Sequence, residues 1–83
     1  MNICFIIGKI ISEIKYDFII GSKNISIVRF KLKILEGSII NVIGYDNIAD
    51  FCYRKLNIGD NIFLEAILNT KGDVKINKIE ILK

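Results

Sequence analysis

Histidine, tryptophan and proline are absent from these 83 residues, and cysteine occurs only twice. Without histidine the chain lacks the side chain most used for acid–base work near neutral pH and for binding metals. It also has no nucleophile elbow, no glycine-rich phosphate loop and no carboxylate pair at a catalytic spacing. Asp46, Asp50 and Asp60 are accounted for as cap and turn residues. These absences argue against an enzyme, and no cofactor or metal is expected. Cys4 and Cys52 lie far apart with no histidine near them, so reduced, buried thiols are expected rather than a disulfide or a metal site. No uncharged run approaches the roughly 20 residues that a spanning helix needs, which argues against a membrane protein. The opening MNICFIIGK lacks the basic start and small-residue cleavage site of a signal peptide, and a cytoplasmic location is expected.

What the chain does have is apolar surface. At 52% hydrophobic it is too apolar for disorder, and its length allows one domain spanning residues 1–83. A chain of this size buries only about 60% of the surface that its unfolded form exposes. The apolar excess therefore points to a subunit interface. The formal charge of +3 is mild: it permits a polyanionic partner without requiring one, and the abundance of Ile, Lys and Asn also fits an AT-rich genome.

Five runs have strand character. ICFIIGKIIS (3–12) contains Gly8, which predicts a bend, a bulge or a close backbone approach. A polar-aromatic connection, EIKYDFIIGSKN, follows it. ISIVRFKLKI (25–34) alternates, with Val28, Phe30, Leu32 and Ile34 on one face and Arg29, Lys31 and Lys33 on the other. LEGS turns into SIINVIGY (38–45), and NIFLEAILN (61–69), a KGD turn and VKINKIEIL (74–82) complete the set. Between the third and fourth runs, residues 47–56 read as a helix. Ile48, Phe51, Cys52 and Leu56 fall on one face, Asp46 or Asn47 is placed to cap the start, and Arg54 and Lys55 complement the dipole at the end. Gly59 is expected to close it. Three strands, a helix and two strands is the order of the all-β OB-fold, a five-stranded barrel whose helix plugs one end.

Along this frame the chain resembles the bacterial single-stranded DNA-binding protein family. MNICFIIGKI is similar to that family's opening, and Glu13-Ile14-Lys15-Tyr16 to the Glu-x-Arg-Tyr of its first loop. Phe30-Lys31-Leu32 matches the Phe-x-Leu of the second strand. Tyr45 and Ile48-Ala49-Asp50 correspond to the start of the helix, and Tyr53, Leu56, Gly59 and Asp60 to its end. Ile62-x-Leu64-Glu65 looks like the Val-x-Ile-Glu of the fourth strand. The match runs in order over nearly the whole chain. Three features depart from the family. Ile39 stands where a tryptophan is expected, the long hairpin is reduced to a turn around Glu36-Gly37-Ser38, and the acidic-tipped tail has no counterpart, so no recruitment through a tail is expected.

The resemblance implies sequence-independent binding of single-stranded DNA, weaker than in the family; RNA is compatible with the same surface. The residues supply a face for it. Alternate positions put Arg29, Lys31 and Lys33 beside Ile39, Asn41, Ile43 and Tyr45 on the neighbouring strand. Single-strand binding needs cations that track phosphates and flat groups on which bases stack. Tyr45 and Tyr16 are the candidate platforms, Phe18 and Phe63 weaker ones, and Lys15, Lys71 and Lys75 extend the track near loop ends. The solvated face of an antiparallel sheet accounts for Lys33, Lys71 and Lys75 equally well. The resemblance also places Cys4, Ile6, Gly8 and Ile10 inward, leaving Ile3, Phe5, Ile7 and Ile11 outward as a homodimer or homotetramer interface, unless the first loop covers them with Phe18, Ile19 and Ile20. The alternative function is an OB-fold subunit of a replication or mobile-element assembly, with weak or no nucleic-acid binding.

Overall fold

The computed structural model describes residues 3–69 and 71–82; Asn2 of the opening motif lies outside them. The elements are β1 (Ile3–Ile10), β2 (Lys15–Ile19), β3 (Ile25–Ile34), β4 (Ile39–Tyr45), α1 (Asn47–Lys55), β5 (Asn61–Leu68) and β6 (Val74–Leu82). The strands run β1-β5-β6-β4-β3-β2, and a further pairing of β1 with β3 closes the sheet into a barrel. All neighbours are antiparallel except β4 and β6, which meet in parallel at Val42↔Val74 and Ile43↔Lys75. This is the expected OB-fold with one strand added, so the helix lies between β4 and β5. Among the described residues no helix is long and apolar enough to cross a membrane.

The added strand is a correction. Lys15–Ile19, expected as part of a connection, pairs residue by residue with Ile25–Arg29. The reason lies in the length of β3. Its ten residues present one edge, of which β1 covers only Leu32–Ile34. The remainder would leave unpaired amides and carbonyls, and the chain leaving β1 fills it after a break at 11–14. Two bonds bind that break to Lys31: the Ile11 amide donates to its carbonyl at 3.0 Å, and its own amide donates to Ser12 Oγ at 2.7 Å.

The alternation of β3 sorts the barrel into inside and outside. Val28, Phe30 and Leu32 are buried among Ile10, Val42, Leu64 and Ile76, while Arg29, Lys31 and Lys33 face out. The helix closes one end with Ala49, Cys52 and Leu56 buried and Ile48 and Phe51 packed against the core. Burial pushes the Cys52 thiol up to about 12, so it stays protonated and unreactive in the folded chain. Cys4 is half-buried, and both cysteines are free thiols.

The helix bounds agree with the expected 47–56, but the capping roles expected of Asp46 and Gly59 do not hold. Asp46 precedes the helix but makes no side-chain cap bond; it has φ 54°, and its amide donates to the Ser26 carbonyl at 2.9 Å. Its backbone is thus held by β3, and its side chain lines an outer groove rather than meeting the first amides. The helix ends at Leu56 in extended conformation, not at Gly59. Gly59 sits three residues later at φ 96°, donating to the Ile10 carbonyl at 2.8 Å and tying the following turn to β1.

Gly8 permits the seam. A Cβ there would lie 2.7 Å from Leu32 Cγ and 2.8 Å from the Lys33 carbonyl oxygen, so only glycine lets β1 and β3 approach as they do.

Candidate nucleic-acid interface

The register of β3 against β4 sets outward residues side by side: Lys33↔Ile39, Lys31↔Asn41, Arg29↔Ile43 and Ile27↔Tyr45. Strands on either side extend one of these rows. Lys15 lies opposite Arg29 on β2, and Lys75 lies beside Ile43 on β6. Lys15, Arg29, Ile43 and Lys75 thus form a line across four strands, with Lys31 and Asn41 on one side of it and Tyr45 on the other. The sequence-predicted cations Lys15, Arg29, Lys31, Lys33 and Lys75 therefore share one face with Asn41 and Tyr45. Lys33 lies nearest the β3–β4 turn, and Lys71 is exposed in the β5–β6 turn, whose Asn69 and Asp73 border the same face.

Two grooves cross this face and meet at Ile43. One, of about 530 Å³, runs between the 11–14 break and Asp73, with Arg29, Lys31 and Asn41 along it. The other, of about 480 Å³, is lined by Ile25, Tyr45, Asp46 and Lys75. Ile43 points outward and is only 8% exposed, so it forms a shared apolar floor. Tyr45 is 37% exposed, and Lys75 Nζ lies 5.7 Å from its ring centroid. At that distance the ammonium interacts with the ring face while its charge stays at the groove.

Acidic residues are interleaved with the cations. Asp17 carries the face one step further along β2, and its carboxylate lies 3.8 Å from Arg29. With side chains 56% and 68% exposed, this pair holds little energy and leaves the guanidinium accessible at the surface. Glu13 and Asp73 border the first groove. Sequence reasoning missed all three. Their signal is positional, since each lies at a loop or on a strand whose place on β3 decides what it faces.

Tyr16 is not on this face. Alternation on β2 turns it toward the helix: its hydroxyl donates to Asp50 Oδ1 at 2.7 Å and lies 3.1 Å from Ser26 Oγ, and its ring packs on Tyr53 with centroids 4.6 Å apart. The Ser26 hydroxyl favours the phenolate, but the Asp50 carboxylate and desolvation outweigh it, and the phenol titrates above its ordinary value. Tyr16 is a clamp between β2 and the helix, not a stacking platform. Phe63 is also elsewhere, beside Ile7 on β5 with its ring stacked on Phe5 at 6.0 Å. Phe18, next along the Tyr16 side of β2, lies opposite Ser26 rather than within the cationic row.

The opposite side of the barrel carries the apolar excess. Ile3, Phe5 and Ile7 are exposed, Phe5 at 66%, beside half-buried Ile67, Glu65 and Phe63 of β5. β1 pairs with β5 along Ile3–Lys9 but with β3 only over Gly8–Ile10, so among the described residues one backbone edge of Ile3–Ile7 has no ladder partner. The first loop does not cover these side chains; its own Phe18, Ile19 and Ile20 are exposed as well. Leu35, fully exposed in the β3–β4 turn, lines a groove with Phe5 and Ile7 and extends the apolar surface.

No family model matches the chain, and no curated protein matches it in sequence. Solved structures match it over nearly its whole length. The mitochondrial single-stranded DNA-binding protein of S. cerevisiae superposes with a TM-score of 0.83 at 17% identity, covering 99% of this chain and 94% of that one. The SSB domain of a Synechococcus protein gives 0.78 at 12% identity, covering 96% and 94%. The second OB-fold domain of replication protein A from Methanococcus maripaludis gives 0.76 at 15%, covering 95% and 82%. At these identities the likeness is one of fold: the chain has the OB-fold architecture found in those domains.

Proposed function

We propose that the protein binds single-stranded DNA without covalent chemistry, through the outer face of β3 and β4 and the loops beside it. One observation carries the reading: a line of cations (Lys15, Arg29, Lys75) crosses four strands next to an exposed tyrosine and an apolar floor. Phosphates have a track, and a base has Tyr45 and Ile43 to lie against. Support also comes from the fold, which is that of solved domains named as single-stranded DNA-binding proteins. RNA offers the same phosphates and flat bases, so competition between the two polymers is part of the test. Replacing Tyr45 by alanine should remove stacking worth about 1–3 kcal/mol. Replacing Lys31 by alanine should lower affinity and flatten its dependence on salt. If neither change lowers affinity in a fluorescence titration, the face is misassigned.

The same reading includes self-association through β1. The open edge of Ile3–Ile7 supplies backbone groups for a second copy, and Ile3, Phe5 and Ile7 supply apolar area worth about 25 cal/mol per Å² buried. That surface, continued by Leu35, also favours the second reading, an assembly subunit that binds no nucleic acid. The titration separates the two.

A further inference from the structure

The groove over Ile43 holds more chemistry than a phosphate track uses. Its lining brings Lys15, Arg29 and Lys31 together with Glu13 and Asp73, and among the described residues neither of these two carboxylates has an ion-pair or hydrogen-bond partner; the one ion pair there is Arg29–Asp17. A phosphate entering between these carboxylates meets like charge. A neutral base does not. The loops that carry them are fixed: Lys31 donates to Ser12 Oγ beside Glu13, and Asn69 accepts from the Asp73 amide at 2.9 Å while its own amide donates to the Asp73 carbonyl at 2.9 Å.

We infer that this groove is a base-reading subsite that selects guanine over thymine within the bound strand, an inference that rests on the proposed single-strand binding. A carboxylate only accepts hydrogen bonds, whereas Arg29 and Lys31 only donate them. The base that suits such a groove carries adjacent donors on one edge and acceptors on the next. Guanine does, with N1–H and the 2-amino group for a carboxylate and O6 and N7 for a guanidinium or ammonium. Thymine presents two carbonyl oxygens around a single N–H, and those oxygens meet the carboxylates unfavourably. The aliphatic floor of Ile43 accepts either ring and so leaves the choice to the rim.

Anisotropy titrations test this with three labelled oligomers of about 12 nucleotides, within the site size of one OB-fold. One is oligo-dT, one carries isolated guanines, and one carries inosines at the same positions. The guanine oligomer should bind about five- to tenfold more tightly than oligo-dT, near the lower end for bidentate base contacts because Glu13 is exposed. Inosine, which lacks the 2-amino group, should lose most of that gain. The double variant Glu13→Gln, Asp73→Asn should erase the guanine preference while tightening oligo-dT, since phosphate repulsion falls. Equal affinity for all three oligomers, or a preference that survives the double variant, overturns the inference and leaves single-strand binding intact. Failure of every oligomer to bind overturns both.

Discussion

An added methyl group at Gly8 would sit 2.7 Å from Leu32 Cγ and 2.8 Å from the Lys33 carbonyl oxygen, both inside ordinary contact. Leu32 is fully buried and cannot retreat without disturbing the core, and the carbonyl is backbone. The strain must therefore be relieved by parting β1 from β3. Only three register pairs join those strands, Gly8↔Ile34, Lys9↔Lys33 and Ile10↔Leu32, so the barrel closes along its shortest antiparallel seam. Overpacking typically costs about 1–3 kcal/mol, and a backbone clash belongs in the upper half of that range. A domain of 83 residues has about 4–12 kcal/mol of stability in all, so Gly8→Ala removes a large share. A loss of about 2–3 kcal/mol corresponds to a fall in the melting midpoint of roughly 10–20 °C for a domain of this size. Gly21→Ala is the control: nothing lies within 4 Å of its Cβ, and it should stay within about 0.5 kcal/mol of the parent. Urea unfolding followed by far-UV circular dichroism, at one fixed protein concentration so that the proposed self-association enters both midpoints equally, measures both. Equal midpoints for the two variants would refute the reasoning about the seam.

Other outcomes follow from the same geometry. Phe5→Lys places a charge in the apolar β1 face and should give a monomer or insoluble protein; an unmutated protein that is monomeric by light scattering at micromolar concentration contradicts the interface. Tyr16→Phe removes the hydroxyl that joins Asp50 and Ser26 and should lower stability without changing DNA affinity. Because the Tyr16 phenol is raised, its contribution is complete below its unfolded value of about 10 and is lost as pH climbs through the folded value. The gap between Tyr16→Phe and the parent should therefore close in alkaline unfolding series, and a gap that widens would count against the clamp. With its thiol pushed up to about 12 by burial, Cys52 should resist labelling at pH near 8 until denaturant is added, whereas half-buried Cys4 should react first; equal native rates would contradict the burial.

How much of this was legible in the sequence depends on what kind of signal each part leaves. β3 and β6 match the expected bounds because Val28, Phe30 and Leu32, or Val74 and Ile76, alternate with charged residues at the period of a pleated strand. The pairing of β3 with β4, and so the row from Lys31 to Tyr45, follows from a short turn that leaves little freedom of register. β2 was not legible. KYDFI carries no clean apolar alternation, because one neighbour of Tyr16 is a helix and Ile19 stays exposed. It is a strand only because β3 has an unfilled edge, which is a fact about another part of the chain. Tyr16 was misread for the same reason: its face could be known only once β2 had a register. Glu13 and Asp73 sit in a loop motif and a turn and Asp17 in the unread β2, but no local pattern shows that they meet the cations, which is a product of tertiary closure.

Single-strand binding itself is tested most directly by titrating the unmutated protein with oligo-dT at several salt concentrations. Each phosphate neutralised contributes about 0.7 to the slope of log K against log salt for single strands. Lys15, Arg29, Lys31 and Lys75 offer three to four such contacts, with Arg29 shared with Asp17. The account predicts saturable binding at low salt with a slope of roughly −2 to −3. No binding at low salt, or an affinity indifferent to salt, would contradict it.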